Sequence, residues 1–99
     1  MEALKKFRTY ELSILLYKEC RQVKLPHAMR DQLTRAASSV TLNLAEGASR
    51  ASRKERLRYY SIAFGSIREI QAIIRLEDLD SLHANADHLA ASLYKLVRQ

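Results

Sequence analysis

Between residues 32 and 47 the chain reads QLTRAASSVTLNLAEG, and the spacing inside this segment fits only one kind of backbone. At about 100° per residue, Met29, Leu33, Ala36, Ala37, Val40, Leu44 and Gly47 fall near one line, the three- and four-residue recurrence of a helix rather than the alternation of a strand. Ala36, Ala37 and Gly47 put small residues on that line, which lets neighbouring backbones approach closely. Arg35, Ser39, Leu42 and Glu46 gather on the opposite side. A helix that only covers a core carries one apolar face and a loosely specified charged one. Two specified faces call for a second partner.

The remaining residues extend the helical reading. One proline and two glycines in 99 residues, with 47% hydrophobic and 28% charged side chains, suit long helices joined by short links. They argue against a β-sandwich or a nucleotide-binding α/β fold. A first helix is expected from about Ala3 to Gln22, with Leu4, Phe7, Ile14 and Leu15 as its stripe and Tyr10, Leu12, Leu16 and Tyr17 broadening it. Leu25-Pro26 ends it and opens a second helix from His27 to Glu46, which Gly47 is expected to stop in a left-handed conformation. Ser52 to Glu55 matches a capping box, so a third helix starts there and runs to about Leu76. Its apolar residues Leu57, Tyr59, Tyr60, Ile62, Ala63, Phe64, Ile67, Ile70, Ile73 and Ile74 cover more than half of the wheel, which predicts contact beyond the monomer. Asp80 or Ser81 is expected to cap a fourth helix reaching about Arg98, with Leu82, Ala86, Leu89, Leu93 and Leu96 as its stripe. The expected fold is all-α, a single-domain antiparallel up-down-up-down four-helix bundle over residues 1–99. A domain of this size buries roughly two-thirds of its surface, which leaves modest stability, so self-association would help.

The net charge is +6, and its distribution is uneven: residues 48–76 hold seven bases against two acids, whereas residues 77–99 hold two bases against four acids. Concentrated positive charge permits attraction to nucleic acid or to acidic surfaces. Cys20 is the only cysteine, which rules out an intrachain disulfide and a multi-cysteine metal site and reads as a small apolar residue inside a helix. Met1 opens no signal-peptide pattern, and no apolar run approaches the roughly 20 residues of a bilayer span. A cytoplasmic protein without membrane contact is expected.

Lys54, Arg58, Arg68 and Arg75 lie within about 100° on the third helix, separated by Ser61, Gly65 and Ala72, and Arg50 and Arg53 extend the row before the helix starts. Such a stripe suits phosphates, giving salt-dependent and sequence-tolerant binding; its plainer reading is a solvated face. Asn43 lies at the edge of the small apolar stripe, Arg35, Ser39 and Glu46 lie opposite it, and Glu69 borders the apolar arc of the third helix; the five read as hydrogen bonds or ion pairs that set helix register or subunit packing. A pocket built from them is the alternative. His83 and His88 are five apart and do not share a face, and no HExxH, phosphate loop or nucleophile motif occurs. No catalytic residue, metal or cofactor is expected. Tyr17, Tyr59, Tyr60 and Tyr94 sit in apolar patterns, where core or interface roles outweigh base stacking.

The combination of Gln32-Leu33, Arg35-Ala36-Ala37, Ser39-Val40 and Asn43 to Gly47 with Ser52, Lys54-Glu55, Tyr59, Ile62-Ala63, Gly65-Ser66 and Glu69 resembles the small bacterial four-helix-bundle proteins called intervening-sequence proteins, often encoded within insertions in large-subunit ribosomal RNA genes. The resemblance covers most of the chain. Two positions depart from it: Tyr10 stands where the family often has tryptophan, and acids occupy the last connection where it often has glycine. The resemblance implies a ring-shaped homopentamer. It also implies kinship with accessory proteins of diversity-generating retroelements, in which a basic pentamer engages nucleic acid and a reverse transcriptase. The resulting expectation is a non-enzymatic homo-oligomer that binds RNA or DNA through its basic surface, the alternative being a protein-binding scaffold with no nucleic-acid contact.

Overall fold

A computed structural model describes residues 2–98 of the chain, apart from the side chains of Glu2 and Leu4. Leu4, counted above in the first-helix stripe, therefore lies outside the described side chains. Four helices follow one another: α1 (Glu2–Cys20), α2 (His27–Ala48), α3 (Arg53–Leu76) and α4 (Asp80–Val97). Each packs against two neighbours in the cyclic order α1-α2-α3-α4, with no diagonal pair in contact among the described residues. Cross-helix pairs give the directions. Thr9 meets Ser92 while Glu19 meets Asn85, and Gln32 meets Glu69 while Ser39 meets Ser66, so rising numbers on one helix face falling numbers on the next. Phe64 with Tyr94 and Gln71 with Asp87 repeat the relation for α3 and α4. The result is an antiparallel four-helix bundle, 40 Å long and 22 by 18 Å across.

Three helices bury the expected faces. Leu33, Ala36, Ala37, Val40, Leu44 and Gly47 of α2 are buried, as are Leu82, Ala86, Leu89, Leu93 and Leu96 of α4, joined there by Ala90. On α3, Tyr60, Ala63, Ile67, Ile70, Ile73 and Ile74 are buried because α2 covers one flank of the wide apolar arc and α4 the other. The arc is thus largely absorbed within the monomer, and Ile62 is its one clearly exposed large member.

The first helix corrects the periodicity reading. Its buried row is Thr9, Ser13, Leu16 and Cys20, whereas Phe7 is 62% and Leu15 47% exposed. Hydroxyls tolerate this burial because each has partners: Thr9 Oγ1 donates to the Lys5 carbonyl at 2.7 Å and pairs with Ser92 Oγ at 2.6 Å. Ser13 Oγ donates to the Tyr10 carbonyl at 2.6 Å and accepts from Thr41 Oγ1 at 2.9 Å. Small side chains in this row let α1 settle between α2 and α4. Burial first, and the neighbouring Glu19 carboxylate second, push the Cys20 thiol up to about 12. The native thiol is therefore protonated at pH 8, and a disulfide reagent is expected to label it only at the rate of unfolding, with prompt labelling in denaturant. A thiol raised in the folded state stabilises fully below its unfolded pKa, near 9, and progressively less as pH climbs from there toward 12.

The helix ends bring two more corrections. Gly47 does not stop α2: no glycine has positive φ among the described residues, and the helix runs through it to Ala48 with Ser49 as its C-cap. Its role is close packing, since it lies buried against Tyr60. The fourth helix has Leu79 rather than Asp80 or Ser81 at its N-cap, without a side-chain cap, and Asp80 sits inside the first turn. The reason is the tight end of α3, where the Leu79 N–H donates to the Ile74 carbonyl at 2.9 Å and the Glu77 N–H to that of Ile73 at 2.9 Å. This six-to-one closure forces Asp78 to φ 55°, the left-handed position usually given to glycine. Asp78→Gly is expected to stabilise the fold by about 1 kcal/mol, read as a rise in thermal midpoint of roughly 4–8 °C.

Candidate nucleic-acid interface

The α2–α3 turn sets where the basic stripe begins. Ser52 is the N-cap of α3, its Oγ accepting from the Glu55 N–H at 3.1 Å, while the same hydroxyl lies 3.4 Å from Glu55 Oε1. Arg56, half-buried and not singled out by sequence, closes the turn by donating to the carbonyls of Ala51 at 2.8 Å and Arg50 at 3.3 Å. Arg50 itself is drawn back against the bundle. It donates to Glu46 one helical turn earlier and to the Tyr59 hydroxyl at 3.1 Å, with its guanidinium 5.0 Å from the Tyr59 ring centre. Tyr59 foremost, with Glu46 adding to it against partial desolvation, raises the Arg50 pKa above its already high value, so the cation persists at any working pH.

Beyond the turn the stripe faces outward. Arg53, Lys54, Arg58, Arg68 and Arg75 are all exposed along the α3 ridge, with exposed Ser61, Gly65 and Ala72 between them. A Cβ added at Gly65 would meet nothing within 4 Å, so the backbone itself is open at the middle of the ridge. Arg58 lies 5.8 Å from the Tyr59 ring centre on one side, and Arg68 lies 5.9 Å from that of Phe64 on the other. Arg68 also donates to Gln71 Oε1 at 3.1 Å, and Gln71 donates to Asp87 of α4 at 2.9 Å. Asp87 in turn lies 3.1 Å from His83 Nε2.

The polar set occupies the outer α2–α3 face. Ser39 Oγ meets Ser66 Oγ at 2.9 Å, and Asn43 Nδ2 donates to the Ser39 carbonyl at 2.8 Å and its hydroxyl at 3.1 Å. Gln32 Nε2 donates to Glu69 at 3.2 Å, Glu46 is taken by Arg50, and Arg35 is exposed. Leu42 of α2 is 67% exposed and Ile62 of α3 44% exposed. On the opposite side a groove of about 620 Å³ between α1 and α4 is lined by Phe7, Leu12 and Leu15, with Lys5, Arg8 and Lys95 at its rim.

The four-helix build agrees with the comparison to known families. Residues 4–99 match the family model described as 23S rRNA-intervening sequence protein. The chain belongs to that family. No match was found among curated proteins or solved structures. For a 23S rRNA-intervening sequence protein of this build, the sequence-predicted groups meet at two points: Glu46 of the polar set holds Arg50 of the basic row, and His83 of α4 lines one groove with Arg68 and Arg75, whereas His88 lies in the α1–α4 groove. No cluster of three or more histidine, cysteine, aspartate or glutamate side chains that could hold a metal ion occurs among the described residues. None of their helices is long and apolar enough to cross a membrane.

Sequence reading missed the α4 flank of the ridge. Tyr94 is 50% exposed, its ring centre 5.9 Å from that of Phe64 at an angle of 46°, with the Arg98 guanidinium 5.7 Å from it. The local signal was an aromatic residue followed four positions on by arginine, Phe64/Arg68 and Tyr94/Arg98. Tyr17/Arg21 shares that spacing at 5.8 Å, so the spacing alone does not select a site.

Proposed function

We propose that this protein is a non-enzymatic, cytoplasmic homo-oligomer, most simply a pentamer, that binds RNA or DNA through the α3 ridge. The observation that carries the reading is the continuous exposure of Arg53, Lys54, Arg58, Arg68 and Arg75 around the open backbone at Gly65. Ammonium and guanidinium groups on a convex helix face meet phosphates without needing a base sequence. Self-association is supported by large apolar side chains exposed on different helices, Phe7 and Leu15 along the α1–α4 groove and Leu42 and Ile62 on α2 and α3, because a ring needs two different surfaces that fit each other. Repeating the ridge around such a ring multiplies weak contacts into useful avidity. The family's link to intervening sequences of 23S ribosomal RNA agrees with a nucleic-acid partner.

Light scattering at micromolar concentration is expected to give about five times the 11.4 kDa of one chain. Binding to mixed-sequence 30-nucleotide RNA and DNA is expected to weaken with salt, log K falling against log salt with a slope of about −3 to −5 for four to six phosphate contacts. No binding at low salt would refute the nucleic-acid reading. In that case the apolar α1–α4 groove favours the second reading, a scaffold that docks a protein such as a reverse transcriptase.

A further inference from the structure

We propose that Phe64 and Tyr94, with Arg68 and Arg98 laid on their rings, form a stacking platform for an unpaired base, so that the ligand of the ridge is single-stranded RNA or DNA. The proposal rests on the nucleic-acid reading above and gives that ligand its strandedness. Four groups run in a row across the outer α3–α4 groove: Arg98 lies 5.7 Å from Tyr94, Tyr94 5.9 Å from Phe64, and Phe64 5.9 Å from Arg68. Tyr94 is half exposed while Phe64 behind it is half-buried, so the outer ring is presented and the inner one supports it.

Every base has a π-face, and aromatic rings and guanidinium planes accept it whatever the sequence. A base inside a duplex already has both faces covered by its neighbours, so only an unstacked one can lie on Tyr94. Charge at the site is complementary to the connecting phosphates: the exposed Arg68 and Arg98 lie on the two rings themselves. Asp87, which Gln71 links to Arg68, is held by Gln71 and His83. The apolar patches suited to self-association lie elsewhere, on Phe7 and Leu15 and on Leu42 and Ile62.

The test uses the full chain with three single-stranded probes of equal length, RNA, DNA and abasic DNA, and a matching duplex. Each single-stranded RNA and DNA carries 2-aminopurine, whose fluorescence reports stacking. Wild type is expected to bind both base-bearing single strands more tightly than abasic strand or duplex, and to change the 2-aminopurine signal. Tyr94→Leu is expected to weaken those two complexes by roughly 5- to 100-fold and to abolish the signal. Tyr94→Phe should preserve both, and neither variant should change the mass by light scattering. Equal binding of base-bearing and abasic strands, with no effect of Tyr94→Leu, overturns the platform while leaving phosphate binding intact. A change of mass in Tyr94→Leu overturns it in favour of a subunit contact, and absence of binding by wild type overturns both readings.

Discussion

The combined substitution Lys54→Glu, Arg58→Glu and Arg68→Glu is expected to lower affinity for mixed-sequence RNA and DNA by about 100-fold or more at low salt, and to flatten the salt dependence by about three counterions. Each reversal removes one phosphate contact and adds one repulsion, and together they bring the net charge from +6 to zero. Folding should survive. All three side chains are exposed, and the ring contacts of Arg58 and Arg68 at 5.8 and 5.9 Å contribute about 0.5–1 kcal/mol each at such positions. Glutamate at position 54 even favours the positive N-terminus of α3. The control is a charge-matched triple of the exposed Lys18→Glu, Lys24→Glu and Arg30→Glu around the α1–α2 end. If both triples lose affinity equally, bulk charge rather than the ridge attracts the ligand.

Gly47→Ala is expected to destabilise the fold by about 1–2 kcal/mol, although alanine is the better helix former by about 1 kcal/mol. A Cβ at this position would stand 2.7 Å from Tyr60 Cε1 and 3.0 Å from both Tyr60 Cδ1 and Tyr59 Cβ. Neither neighbour yields cheaply: the Tyr60 side chain is 2% exposed within the core, and Tyr59 Cβ is fixed to the α3 backbone. The ends of α2 and α3 must part, and overpacking of this kind costs about 1–3 kcal/mol, more than the propensity gain. Thermal unfolding should shift down by roughly 5–15 °C. A raised midpoint would show that Gly47 is not a packing residue. Shortening the obstacle by Tyr60→Leu should recover part of the loss, measured as coupling in a double-mutant cycle.

Gly47 also shows how far local pattern reaches. Its place at the end of the stripe marked it, but both a helix stop and a close approach call for glycine, and only the position of Tyr60 separates them. The stripes of α2 and α4 and the start of α3 at Ser52 were legible because regular three- and four-residue spacing and a capping serine act within a few residues. The left-handed Asp78 was not, since it follows from the closure of α3 onto Leu79 rather than from any preference of aspartate. Within the candidate interface the ridge residues share one helix and could be read from their spacing. Tyr94 and Arg98 belong to it only because α4 lies alongside, and Arg50 leaves it because Glu46 and Tyr59 both hold it.

What the residues alone determine is the helical fold class, the antiparallel order expected of short links, the family signature between Gln32 and Glu69, and the concentration of positive charge on the third helix. These follow from periodicity, breakers and charge, which operate along one chain segment. Tertiary structure decides which face of α1 is inside. Hydropathy favours Phe7 and Leu15 for burial, yet Thr9 and Ser13 take those places because neighbouring helices supply partners for their hydroxyls and admit only small side chains. Burial depends on what the other three helices leave to be filled, and that space exists only once they have packed.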